Sequence, residues 1–217
     1  MTRPRLRLEP LEPRAVPAVV GGLDPSFGTG GKVTTTYGGT ERAAAVLVQP
    51  DGQILVAGST TINNDILVAR YNPDGTPDAT FGGGTGRLQF TFGGVDVATG
   101  LALQPDGRIL VVGYSDVTGT NGFAVARVLA NGSAVDSTFA GDGTAVVQFD
   151  LGGGNDDRAN AVALQPDGKI VVAGYADRGA GNFDMAVARF TSAGDLDATF
   201  DADGKQTVAF DLAGAND

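Results

Sequence analysis

Apolar and polar residues alternate along the chain in short runs, and no stretch shows the 3.6-residue spacing of an amphipathic helix. After residue 22 the runs are rich in Val, Ile, Thr and aromatics and are separated by Gly, Asp, Asn and Pro, the pattern of strands joined by tight turns. Four kinds of run recur in fixed order. The first is KVTTTY (32–37), RLQFTF (87–92), TAVVQF (144–149) and KQTVAF (205–210). The second places Val46 and Val48, Leu101 and Leu103, and Val162 and Leu164 on one face, with small residues such as Ala45, Gly100 and Ala161 opposite. The third starts at Ile54, Ile109 and Ile170 and runs apolar to Gly58, Gly113 and Gly174, which predicts a strand buried on both faces. The fourth is DILVARY, GFAVARV and DMAVARF.

Gln-Pro-Asp-Gly joins the second and third runs in all three copies. Proline presets the turn, aspartate bonds it through its side chain, and Gly52, Gly107 and Gly168 supply the left-handed residue, so each pair is predicted to be a hairpin. The motif Asp-x-Ser/Thr-Phe marks the period through Asp24, Asp78, Asp136 and Asp197, with Phe27, Phe81, Phe139 and Phe200 three residues on. Residues 23–217 thus read as a tandem repeat domain with units at about 24–77, 78–135 and 136–196 and a partial unit at 197–217. The pattern predicts an all-β fold of tandem four-stranded antiparallel blades, β-propeller-like, forming an incomplete ring or open arc. Counting each unit as four strands and adding the last run yields thirteen. Open edges of such an arc lead us to expect self-association.

Composition narrows the chemistry. The chain of 217 residues has no Cys and no His, which removes disulfides, thiolate zinc sites, cysteine nucleophiles and the commonest general base. A net charge of -10 argues against nucleic-acid binding, and no apolar run approaches the ~20 residues of a membrane helix. The 34 glycines match a chain full of turns.

Residues 1–22 stand apart. They hold Arg3, Arg5, Arg7 and Arg14 against Glu9 and Glu12, and Pro10, Glu12, Pro13 and Arg14 break the apolar core that a secretory signal needs. RLRLEPLEPRAVPAV resembles the Leu-Glu-x-Leu-Glu-x-Arg leader of large bacterial surface and exported proteins. The resemblance implies an extracellular or cell-envelope location and a leader that is processed or unstructured. From residue 23 the repeated words resemble the delta-60 repeat of bacterial proteins: the Leu-Asp-x-Thr-Phe-Gly start, the Ala-Leu-Gln-Pro-Asp-Gly-Lys-Ile hairpin and the Ala-Arg-Tyr-Asn-Pro-Asp-Gly close. PDATFGGGTGRLQF lacks that family's Gly-Lys-Val, and Leu129, Ala130 and Asn131 replace Tyr-Asn-Pro. The resemblance implies a β-propeller-like array with no defined catalytic activity.

Candidate sites are few. The repeated aspartates suit side-chain-bonded turns, and Arg70, Arg127 and Arg189 recur where each can pair with one. The phenylalanines are expected in equivalent buried positions between blades. Calcium is the one metal that oxygen ligands alone could hold, with candidates Asn155, Asp156 and Asp157, and Asp201 and Asp203 in the second acidic run; neither cluster fits an established calcium loop, so no cofactor is expected. Unit lengths vary mainly between the first and second runs and between the third and fourth, and in an up-and-down blade those loops share one edge. That edge, bearing Glu41, Asp96, Asp116, Asp156, Asp157 and Asp177, is the candidate recognition surface for a protein or glycan at the cell surface. Drift of unselected loops produces the same pattern. The functional expectation is a noncatalytic interaction or structural scaffold. The alternative is a lyase- or glycosidase-type enzyme using carboxylates in a propeller channel, which requires those groups to gather in one concave pocket.

Overall fold

The Pro-Asp-Gly hairpins organise the chain locally. In the computed structural model, which describes residues 21–209 apart from Asn155 and Ala180, Gly52, Gly107 and Gly168 have φ of +87°, +84° and +84°. Each accepts the left-handed conformation that a residue with a Cβ resists. The turn aspartate accepts a backbone N–H two residues on, from Gln53, Arg108 and Lys169 respectively.

The fold is all-β. Twelve strands among the described residues form three four-stranded antiparallel sheets. The first holds β1 (Glu41–Val48), β2 (Ile54–Thr60), β3 (Ile66–Tyr71) and β4 (Arg87–Phe90). The second holds β5 (Asp96–Leu103), β6 (Ile109–Ser115), β7 (Gly122–Val128) and β8 (Thr144–Val147). The third holds β9 (Arg158–Leu164), β10 (Ile170–Gly179), β11 (Asn182–Phe190) and β12 (Lys205–Val208). Strand order follows chain order in each sheet.

This grouping corrects the strand count. A sheet is not a sequence unit: its fourth strand is the first run of the following unit, as when Ile66 pairs with Phe90 and Met185 with Val208. The Lys205–Val208 strand therefore completes the third sheet, where the sequence pattern had placed it as a surplus thirteenth strand. Residues 33–37, the first copy of that run, belong to no ladder among the described residues.

A second correction concerns the third run of each unit, which does not stop at its glycine. β2, β6 and β10 continue to Thr60, Ser115 and Gly179. The adjacent β1, β5 and β9 partners shift register there. A Cβ on Gly58, Gly113 or Gly174 would collide with the carbonyl of Arg42, Val97 or Arg158. Glycine marks a bulge with close backbone approach.

Successive sheets pack face to face around two cores. Leu55, Val68, Phe81, Ile109, Val111 and Val128 fill the space between sheets one and two. Leu110, Val125, Phe139, Ile170, Val172 and Phe190 do so between sheets two and three. The fully buried aliphatic and aromatic side chains of the two cores, at roughly 1.5–3 kcal/mol each, are the main stabilising contribution. The array is open: each terminal sheet keeps one apolar face outside these cores.

Candidate functional site

The array has two edges of different character. On one lie the Pro-Asp-Gly hairpins and the Asp-x-Ser/Thr-Phe turns. Asp78 is the pattern: its Oδ1 accepts the Thr80 N–H at 2.8 Å and the Thr80 hydroxyl at 2.8 Å, and its Oδ2 accepts Arg70 Nε at 2.6 Å and Gln53 Nε2 at 3.0 Å. Asp136 takes the equivalent bonds from Thr138 and Arg127 and an ion pair with Arg108, and Asp197 does so with Thr199, Arg189 and Lys169. Burial pushes the Asp78 carboxyl up, but the Thr80 and Arg70 donors outweigh it and hold it below the ordinary value; Asp136 behaves alike through Thr138 and Arg127. Asp24 meets only Ser26, and no arginine among the described residues.

Each turn also grips the next sheet. Arg70 Nη1 donates to the Ala130 carbonyl at 3.0 Å, and Gly82 N–H donates to Asn131. Arg127 Nη1 donates to Ser192 at 2.7 Å, and Ala140 N–H to Ala193. The phenylalanine of the turn lies against a glycine in the turn of the next sheet, Phe81 against Gly132 and Phe139 against Gly194, so closely that a Cβ there would overlap the ring. Phe81 and Phe139 are fully buried. Phe27 and Phe200, expected in equivalent buried positions, are only half-buried. Phe27 has the Gly75 turn before it but lacks a sheet of its own behind, and Phe200 has a sheet but no following turn among the described residues.

The other edge carries the loops of variable length. They interlock in pairs: Thr40 N–H donates to Thr61 Oγ1, Val95 N–H to Asp116 Oδ1 at 2.6 Å, and Gly154 N–H to Asp177 Oδ2 at 2.8 Å. Neighbouring sheets are joined there too, through Asp96 N–H to the Asn64 carbonyl and Asp157 N–H to the Asn121 carbonyl. The loops therefore form one continuous strip.

Most candidate carboxylates on this strip face inward. Asp96 is buried and accepts the Thr91 hydroxyl and the Phe92 N–H. Asp157 is buried at the equivalent place, accepting Phe149 N–H at 2.8 Å and Asp177 N–H at 2.9 Å. Burial, reinforced by the nearby Asp150 and Asp177 charges, raises the Asp157 carboxyl above its ordinary value despite those two bonds. Asp177 is buried as well, and half-buried Glu41 accepts the Gly39 N–H. Asp156 is half-buried, pairs with Arg158 at 2.7 Å and accepts Asn121 Nδ2. The loop apolar residues Val95 and Val117, which the sequence reading passed over, are 45 % and 41 % exposed on this strip. Their only signal in the sequence is being valines inside otherwise polar loops.

Asn155 lies outside the described residues, as do residues 1–20 of the leader. Among the described residues no three acidic side chains converge as metal ligands do; Asp203 accepts the Lys205 N–H, and Asp201 sits at φ +48° in the turn after Phe200. No helix among the described residues is long and apolar enough to cross a membrane.

The family comparison agrees with this repeat geometry. A family described as "Domain of unknown function (DUF5122) beta-propeller" matches residues 49–81, 104–139 and 165–200. Each match begins at a hairpin and ends on a buried or half-buried turn phenylalanine. No curated protein matches the chain. A solved structure of an endo-1,4-β-xylanase from Bacteroides thetaiotaomicron is similar over 80 % of this chain at 14 % identity and a TM-score of 0.45; the chain spans 60 % of that structure. Three family matches, each falling on one four-stranded sheet, agree with a β-propeller-like repeat architecture for this chain.

Proposed function

We propose that the chain is a noncatalytic module of an exported or surface bacterial protein, a scaffold that displays its variable loop strip for binding. The observation that carries this reading is the division of labour between the edges. The constant edge commits its carboxylates to turns and ion pairs within and between sheets. Asp78, Asp136 and Asp197 are spread over three equivalent turns, where an acid–base pair would require two carboxylates in one cleft. The strip is bound together by its own hydrogen bonds and leaves Val95 and Val117 outward, an arrangement that suits recognition on a rigid support. The leader resemblance supplies the expectation of an envelope or external location.

The test is binding of the labelled full chain to arrays of bacterial envelope proteins and surface glycans. Wild type is expected to bind a defined subset, and the double variant Val95→Asp, Val117→Asp to lose it with its circular-dichroism melt unchanged. Equal binding by the variant, or no binding by wild type, would remove the proposal.

A further inference from the structure

The two internal sheet interfaces are built from the same positions, and in the terminal sheets those positions lie outside both cores. On the side facing the next sheet, Leu55, Ile66 and Val68 of sheet one and Leu110, Phe123 and Val125 of sheet two are buried to 1 % exposure or less. Their equivalents in sheet three are Val171, Met185 and Val187; the two valines are half-buried and Met185 is 57 % exposed. On the side facing the preceding sheet, Ile109, Val111 and Val128 and Ile170, Val172 and Phe190 are likewise buried. Their equivalents in sheet one, Ile54, Val56 and Tyr71, line a cavity of about 520 Å³, and Val46 beside them is 68 % exposed.

We propose that the far face of sheet three packs on the open face of sheet one of a second copy of this chain. The association is heterologous, head to tail, and reproduces the interface that the chain already makes twice internally. The polar clamp is set for the same step. Arg189 Nε is held by Asp197 at 2.7 Å, as Arg70 and Arg127 are held by theirs. Asp201, in the turn after Phe200, has φ +48°, matching Gly82 at +63° and Ala140 at +50°, whose N–H groups bond the next sheet. The Pro73 and Asp74 carbonyls and Gly75 of the second copy are the equivalents of the Ala130, Asn131 and Gly132 acceptors and platform.

Residues 23–37 now lie over that face. Gly28 N–H bonds the Asp74 carbonyl at 2.8 Å, and Val33 and Tyr37 line the cavity. This segment has the sequence of a turn and fourth strand, yet it joins no ladder among the described residues and its Asp24 meets no arginine among them. Lys205–Val208 has both a ladder and the Arg189–Asp197 pair. Where the two compete for one place, 23–37 is the segment that yields. Two copies bring six sheets, within the roughly four to eight of closed propellers.

The test is analytical ultracentrifugation of the full chain and of two variants at exposed sites, Val46→Asp on the first face and Met185→Asp on the last. Wild type is expected to sediment at twice the 21.9 kDa chain mass or more. Each variant alone should sediment as a monomer. An equimolar mixture should give a dimer and nothing larger, because one intact face remains on each partner. A monomeric wild type, a variant that still assembles, or a mixture that stays monomeric would overturn the proposal.

Discussion

Arg127 and Ser192 are joined across the second sheet interface: the guanidinium Nη1 donates to the Ser192 carbonyl at 2.7 Å while Nε of the same group pairs with Asp136 at 2.8 Å. Arg70 does the same between Asp78 and Ala130. The ion pair inside one sheet is therefore the device that aims a donor at the next, and the Phe139 ring under the guanidinium, 4.9 Å from it, completes the contact. A salt bridge of this kind acts through position as much as through charge, since isolated surface pairs stabilise little.

Removing Arg127 is accordingly expected to cost more than removing Arg189. Arg127→Ala strips a buried carboxylate of its main partner and breaks the bond to Ser192, an effect of about 3 kcal/mol even with Arg108 remaining beside Asp136. Arg189→Ala should cost under about half of that, because Arg189 is more exposed and grips no following turn among the described residues. Urea denaturation of the two variants in the monomeric Met185→Asp background measures the difference, and equal losses there would refute the clamp.

Phenylalanine truncation should follow the same gradient. Phe139→Ala is expected to cost about 3–5 kcal/mol, the usual range for a fully buried aromatic. Phe200→Ala, at a half-buried position, should fall below it. Thermal melts of the two variants in the monomeric Met185→Asp background decide, and a larger loss at Phe200 would show that its ring is covered.

Two glycines in sheet two separate conformational strain from collision. Gly107→Ala in the hairpin meets a left-handed backbone at φ +84°, with its nearest neighbour Ala130 Cβ at 3.3 Å, and should cost about 1 kcal/mol. Gly113→Ala has no positive φ but drives its methyl into the Val97 carbonyl of the adjacent strand, so the bulge has to open; a loss of roughly 3 kcal/mol or more is expected. The order of the two midpoints in guanidinium checks the assignment.

Acid should weaken the array through its constant edge. The Asp78 and Asp136 carboxyls lie below their ordinary value of 3.8 in the folded protein, so the stability they contribute is complete above that pH and is lost as pH falls below it toward their folded values. Asp157 has the opposite sign: its raised folded value means that ionisation costs stability as pH rises from 3.8 toward that value. Melting temperature recorded from pH 7 to pH 2.5 should drop most steeply below about pH 4. In Asp136→Asn that low-pH slope should flatten.

The hairpins, the all-β class, the repeat and the pairing of Asp78, Asp136 and Asp197 with their arginines were legible in the residues alone. Each depends on groups close in the chain: Pro-Asp-Gly closes a turn within four residues, and Arg70 lies eight from Asp78. A tandem repeat, however, has no intrinsic starting point, so its period cannot tell which sheet a run joins. Only the ladders between β11 and β12 and their counterparts decided that the fourth strand comes from the next unit. The acidic loops were equally ambiguous. Asp96 and Asp157 in sequence look like solvent-facing charges, and it is the path of the folded loop that turns them toward the Phe92 and Phe149 N–H groups. Burial of the turn phenylalanines was expected from the repeat, but which of them are fully covered was decided by the fold, because the glycine that receives Phe81 or Phe139 lies more than fifty residues further on, in a sheet that exists only once the chain has folded.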